Sequence, residues 1–195
     1  MLPDNFVLKE AQSEDFQKLA ALYRACREDT DMQLVPDYFQ SFPEGWAEDV
    51  WTYHFNNTDF FKARVLWDGG KPVGFCRVGA LDQSYGDCLE GAALPFRCGE
   101  LHQIYLLPEY QKQGLGRVLY QAALEDLRDM GFRNFIICTY AENENAKTFY
   151  ARMGASSLTD STLHVFDADQ EWDRPVSFLV QPVPPKIGPA PVCAP

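Results

Sequence analysis

One turn limits what this chain can fold into. Residues 99–107, GELHQIYLL, read as a strand, and Pro108 ends it because proline has no N–H to give a ladder. Gln111-Lys112-Gln113-Gly114-Leu115-Gly116-Arg117 follows and opens a helix from Gly116 to Met130. The apolar side of that helix is Val118, Leu119, Ala122, Ala123, Leu127 and Met130. The first N–H groups of a helix have no internal partner, and the helix dipole adds partial positive charge there. Glycines let a ligand's oxygens approach the main chain, and Lys112 and Arg117 add full charges beside it. The turn therefore has the chemistry of an anion cradle. It is not a dinucleotide fingerprint, because Leu119 stands where the third glycine is needed. It is not a Walker loop either. Taken alone, it is equally a glycine helix start that binds nothing.

The rest of the chain supplies the frame. Residues 6–11 read as a strand. Ser13 is a candidate N-cap, with Glu14 and Asp15 in the first turn of an amphipathic helix carrying Phe16, Leu19, Ala20, Tyr23 and Cys26. Residues 29–58 read as a broken helical stretch punctuated by Pro36 and Pro43. Residues 60–67 and 73–80 flank Asp68-Gly69-Gly70-Lys71, a hairpin signal. Residues 82–98 read as a surface loop. Residues 134–140, NFIICTY, suit an interior strand. Ala146, Phe149, Tyr150 and Met153 mark another helix closed by Gly154, as Gly131 closes the one before it. Residues 157–166 and 175–181 read as a last strand pair linked by Asp167–Asp173. This order predicts an α/β or α+β fold, a mixed sheet with helices on both faces. Residues 1–181 make one domain and 182–195 a proline-rich, extended tail in which Pro182-x-x-Pro185 could serve a polyproline reader.

Charge narrows the partners. The net charge of −11 disfavours nucleic acid and favours a cationic partner such as an amine. No run of residues is long and apolar enough for a membrane helix, and no secretory leader is visible, so a cytoplasmic setting is expected. The six cysteines are scattered with no CxxC pair and read as reduced thiols. The three histidines have no metal-ligand spacing, so no metal is expected.

Two blocks, GELHQIYLLPEYQKQGLGRVLYQAALEDL and FIICTYAENENAKTFYARMGA, together with the element order over residues 6–180, resemble the GCN5-related N-acetyltransferase (GNAT) family. The resemblance implies a mixed central sheet of about seven strands and transfer of an acetyl group from acetyl-coenzyme A to an amine. It implies that main-chain N–H groups of Lys112, Gln113, Gly114, Leu115, Gly116 and Arg117, after Gln111, hold the pyrophosphate. It also implies that the pantetheine arm pairs with the main chain at Ile104, Tyr105 and Leu106. An Asn before the family tyrosine contacts the coenzyme arm. Asn143 fits that spacing best and Asn145 is the alternative, though capping is an ordinary role for either.

Direct transfer needs a base, because an ammonium with pKa about 10.4 has no lone pair. It also needs a donor for the oxyanion and an acid for the thiolate. Glu100 and His102 are two apart on one strand and so share a face. The resemblance places both where family members carry bases, directly or through water. The same two residues could simply be paired with each other. Tyr150 matches the family tyrosine near the coenzyme sulfur, although its spacing also suits a core aromatic. The Leu106 N–H is the expected oxyanion donor. Acids at 29, 31, 44, 48, 49, 82, 87 and 90, interleaved with aromatics from Tyr38 to Phe55, could wall an amine site or be a solvated face. The acceptor is expected to be a small, cationic primary amine. A protein or peptide acceptor and a non-catalytic coenzyme-binding module are the alternatives. A homodimer through the late strands is a further expectation.

Overall fold

The computed structural model describes residues 2–167 and 170–185. Residues 186–195, most of the expected tail, lie outside them. The elements are β1 (Phe6–Glu10), α1 (Phe16–Leu34), α2 (Pro36–Gln40), α3 (Trp46–Asn56), β2 (Phe61–Asp68), β3 (Lys71–Ala80), β4 (Cys98–Leu106), α4 (Leu115–Asp129), β5 (Asn134–Tyr140), α5 (Glu144–Arg152), β6 (Ser156–Asp167) and β7 (Gln170–Pro182). They build one seven-stranded sheet in the order β1-β2-β3-β4-β5-β7-β6. Only β4 and β5 run parallel; the other described pairs are antiparallel.

Helices cover both faces, as the order of elements predicts. Phe75 of β3 packs against Tyr23 of α1 and Trp51 of α3, with ring centroids 5.6 and 5.2 Å away. On the opposite face, Arg64 of β2 is fixed to buried Asp126 of α4 by two bonds of 2.9 and 2.6 Å. Alternation along β2 and β3 makes this two-sided burial possible. Fully burying one large apolar side chain contributes about 1.5–3 kcal/mol. Phe75, Phe135, Phe178, Trp51 and Leu119 are all fully buried here.

Several local expectations change. Ser13 opens a short 3-10 turn that makes no side-chain cap, and α1 starts at Phe16. That helix runs on through Leu34, absorbing the start of the stretch read as broken, and Pro36 then opens α2. The strands β6 and β7 extend inward to Asp167 and Gln170, so the acidic linker is largely ladder. Residues 183 and 184 are tied down: Val183 N–H donates to Arg133 O at 2.9 Å, and Arg128 Nε to Pro184 O at 2.9 Å.

What positions the site is a gap in the sheet. The parallel β4–β5 ladder has only three rungs, Cys98–Asn134, Gly99–Phe135 and Glu100–Ile136. Beyond them β4 pairs only with β3, and β5 only with β7. The β3–β4 register shifts between Arg77 and Val78, leaving His102 as an extra residue on β4. Such a bulge bends and twists its strand, and here it lies just past the last shared rung.

Candidate active site

The gap opens into a cavity of about 720 Å³. It is walled by β4, the end of β5, the start of α5, the C-terminal half of α1, and Tyr38, Leu163, Arg174 and Val176. His102, Ile104, Tyr105, Leu106, Gln111, Lys112, Asn143, Asn145 and Tyr150 all line it. Residues far apart in the chain thus line one space, while Glu100, Gln113, Gly114, Leu115, Gly116 and Arg117 lie outside its lining.

Ladder geometry decides which main-chain groups of β4 face the gap. Leu107 N–H donates to Val73 O at 2.9 Å, towards β3. By alternation Tyr105 also turns its N–H and C=O to β3, whereas Ile104 and Leu106 turn theirs to the gap. The Gln111 side chain confirms the direction, donating to Leu106 O at 3.2 Å. Of the three expected pairing positions, Ile104 and Leu106 have main chain to offer; Tyr105 contributes its ring to the cavity.

The turn before α4 is shaped as a cradle. Gly114 has φ +84° and Lys112 φ +59°, a left-handed geometry uncommon outside glycine. Gln111 N–H bonds to Pro108 O and Arg117 N–H to Gly114 O. Among the described residues, the N–H groups of Lys112, Gln113, Gly114, Leu115 and Gly116 take no backbone partner. A Cβ at Gly114 would meet nothing within 4 Å, so the surface beside it is open. Lys112 and Arg117 form no ion pair among the described residues. Leu115 buries its side chain in the core, and Gln113 donates to Glu109 O at 2.8 Å. The residues present therefore fit a diphosphate held mainly by main chain.

The ionisable residues of β4 sit behind this surface. Glu100 is buried and does not line the cavity. It accepts from Asp82 N–H at 3.0 Å and from the Tyr85 hydroxyl at 3.1 Å, and lies 3.2 Å from His102 Nδ1. The other ring nitrogen of His102 faces Ala80 O at 2.9 Å, and a carbonyl only accepts, so this nitrogen carries a hydrogen. Both nitrogens are thus engaged away from the cavity. Tyr85, from the segment read as a plain loop, does line the cavity and joins it to Glu100. Burial, with Glu100 beside it, pushes the Tyr85 phenol well up.

Tyr150 is buried against Tyr120 and Phe149 and lines the cavity. Burial raises its phenol far above the ordinary value, so it holds its proton at neutral pH. Asn143 caps α5, its Oδ1 accepting from Ala146 N–H at 3.0 Å. Burial, then the Glu100 charge, push the Cys138 thiol in the cavity wall up to about 12, which leaves little thiolate for nucleophilic attack.

The acidic wall is only partly there. Asp29 and Asp31 line the cavity, and Asp31 is tied to Arg27. Glu48 pairs with Arg24 at 2.6 Å, and Asp82 caps a turn through Ser84 N–H at 2.8 Å. Phe39, Phe42 and Trp46 meet one another tilted or edge-on. Arg27, Gln103 and Tyr140 are among the polar lining residues that had no signal of their own in the sequence. The i, i+4 spacing of Tyr23, Arg27 and Asp31 was the available clue. Among the described residues no group of His, Cys, Asp or Glu gathers as a metal set, and no helix is long and apolar enough to cross a membrane.

A seven-stranded mixed sheet split at β4–β5, with a main-chain anion cradle at one end of the split, defines a domain of the acyl-CoA-dependent N-acyltransferase class. The sequence profile of the acetyltransferase (GNAT) family matches residues 16–155, and the chain belongs to that family. A relative from Lactobacillus delbrueckii named as an uncharacterized N-acetyltransferase is 37% identical over 42% of this chain and 44% of its own length. The chain thus spans under half of that relative. A Sus scrofa protein named thialysine N-epsilon-acetyltransferase is 26% identical over 80% of this chain and 86% of its own. The crystal structure of a PaiA N-acetyltransferase from Thermoplasma acidophilum, in complex with coenzyme A, superposes with a TM-score of 0.65 at 15% identity, over 89% of this chain and 97% of that one.

Proposed function

We propose that this protein transfers an acetyl group from acetyl-coenzyme A to the primary amine of a small molecule, by direct attack with both substrates bound. The observation that carries this reading is the open edge of β4. The main chain of Ile104 and Leu106 faces a gap that leads to the row of unpartnered N–H groups at residues 112–116. Ile104 and Leu106 would pair with the pantetheine arm, and the turn, with Lys112 and Arg117, would hold the diphosphate. Asn145 and Asn143, whose Oδ1 is used by the cap, border the same channel. The coenzyme supplies the activated acetyl thioester.

The chain's own residues then divide the work. The Leu106 N–H stabilises negative charge developing on the acetyl oxygen. Tyr150 holds a proton to give to the sulfur. Proton removal from the amine runs through Tyr85 and ordered water to Glu100, with His102 orienting the carboxylate. No acyl-enzyme is needed, in keeping with the protonated Cys138. A small acceptor is supported by the walls that α1, Tyr38, Leu163 and Arg174 put around the cavity, and by the free amino compound for which the Sus scrofa relative is named. Acetyl-coenzyme A should raise the melting temperature by mass action, and thiol release should follow addition of amines. No shift at millimolar acetyl-coenzyme A would overturn the reading.

A further inference from the structure

Two buried acceptors in the cavity wall have nothing to accept from. Asp31 is fully buried on α1, and its Oδ2 takes both Nε and Nη2 of Arg27. Its Oδ1 has no hydrogen-bond partner among the described residues. Gln103 of β4 is the second case. Its Nε2 donates to the Tyr23 hydroxyl at 2.8 Å, while its buried Oε1 has no partner among the described residues. One chain of bonds joins the two sites, since Arg27 Nη1 donates to the same Tyr23 hydroxyl at 3.1 Å. Both residues line the cavity. Unpaired buried acceptors are costly and rare in native proteins, so a pair of them on one cavity wall points to a donor that a ligand brings.

Charge says which kind of donor. Arg27 and Asp31 offset each other as an ion pair. Asp29 lines the same wall from α1, and its carboxylate forms no ion pair among the described residues. Arg174 also lines the cavity, where it is laid over the Tyr38 ring at 4.4 Å. The wall around Asp31 and Gln103 therefore offers acceptors and a carboxylate, which a cationic donor satisfies and an anion does not. Its distance from the chemistry also matters. Gln103 lies three residues back from Leu106 on β4, about 10 Å along the strand, so a group seated there is not the one that attacks the thioester.

We propose that the acetyl acceptor is a diamine, and that Asp31 Oδ1 and Gln103 Oε1, with the Asp29 charge on the same wall, receive the ammonium that is not acetylated. This rests on the small-molecule transfer reading above and narrows it. An ammonium has three donors and no acceptor, so it can serve both orphaned oxygens without leaving a lone pair of its own buried. A hydroxyl brings one donor and no charge, and a methyl group brings neither.

The test is a matched panel with saturating acetyl-coenzyme A. Putrescine, 4-aminobutanol, n-butylamine and γ-aminobutyrate share one carbon skeleton and differ at the far end, and cadaverine adds a longer reach. The better diamine should exceed the amino alcohol, the alkylamine and the amino acid by about 10- to 100-fold in kcat/KM, the worth of a hydrogen bond to a charged group. Gln103→Met keeps the length of the side chain and loses its acceptor, and should cut the preference for diamine over n-butylamine about tenfold. A merely structural role for Gln103 would slow both amines together and leave that ratio where it was. Turnover of n-butylamine or 4-aminobutanol equal to that of the diamines, or of γ-aminobutyrate above them, would overturn the ammonium seat while sparing the transfer reading. So would an unmoved ratio in Gln103→Met. Silence across the whole panel, with acetyl-coenzyme A still shifting the melting temperature, would overturn the small-amine reading and this inference with it.

Discussion

Arg27 of α1 donates to the hydroxyl of Tyr140 at the end of β5, 3.2 Å away and 113 positions along the chain. The bond ties the helical layer over β3 and β4 to the other half of the split sheet. The guanidinium that makes it is also the counter-charge of Asp31, whose side chain is fully buried.

That dual use predicts an asymmetric cost. Arg27→Met strands the Asp31 carboxylate without its partner, and breaking a buried pair this way costs about 3–5 kcal/mol. The double variant Arg27→Met with Asp31→Leu removes both charges and should recover most of that loss. Urea unfolding of the two variants measures the difference. Equal destabilisation would show that Asp31 does not depend on Arg27.

Tyr150→Phe should lower kcat by about 100-fold or more, the scale of a lost general acid. The ring is buried against Tyr120 and Phe149, so the phenylalanine keeps the packing. Coenzyme affinity, measured by calorimetry, should stay within about twofold, because the proposed reading has main chain elsewhere hold the coenzyme. Loss of affinity without loss of kcat would assign the hydroxyl to binding instead.

Gly74 of β3 sits opposite Leu106 at the edge of the gap. A Cβ there would lie 2.7 Å from Tyr105 O and 2.5 Å from Leu106 Cδ2. Backbone must shift to admit it, so Gly74→Ala should cost about 1–3 kcal/mol as overpacking does. Because the strand it displaces carries the Leu106 N–H, kcat should fall as well. Wild-type melting temperature and kcat in this variant would show that β4 has slack at that point.

Local chemistry explains what could be read in advance. Gly69, Gly70, Gly131 and Gly154 all take positive φ, which few other residues adopt, and each marks an element's end in the sequence. The strand–turn–helix at 98–129 is likewise a local pattern, and Glu100 and His102 do meet, 3.2 Å apart. The bulge at His102 left no trace, because HQIYLL has no regular alternation for it to interrupt. It is the extra residue there that lets Gln103 reach Tyr23 on the helical side while Glu100 and His102 contact each other. Tyr85 lay in an aperiodic segment, and its meeting with Glu100 depends on how that segment folds back over β4. The Arg27–Tyr140 contact is long-range, and nothing in the spacing of either residue announces it.

His54 offers a test by pH. It is buried at the end of α3 with its ring beside Trp51 and Phe55, and Nδ1 has no partner among the described residues. Burial first, and then the charge of Arg77, lower its pKa to about 4. In the unfolded chain an imidazole titrates near the ordinary 6.5, so as the pH falls the unfolded state takes up this proton before the folded state does. Stability from this group is therefore full above about pH 6.5, declines as the pH falls towards about 4, and levels off below that. The span corresponds to at most about 3 kcal/mol. His54→Phe keeps an aromatic ring in the stack and has no proton to gain. It should flatten the loss of stability between about pH 6.5 and pH 4.5, while carboxylates still give the steep fall at lower pH. Denaturant unfolding across that window compares the slopes directly. Identical slopes in the two proteins would mean that His54 takes up its proton as readily in the folded chain as in the unfolded one.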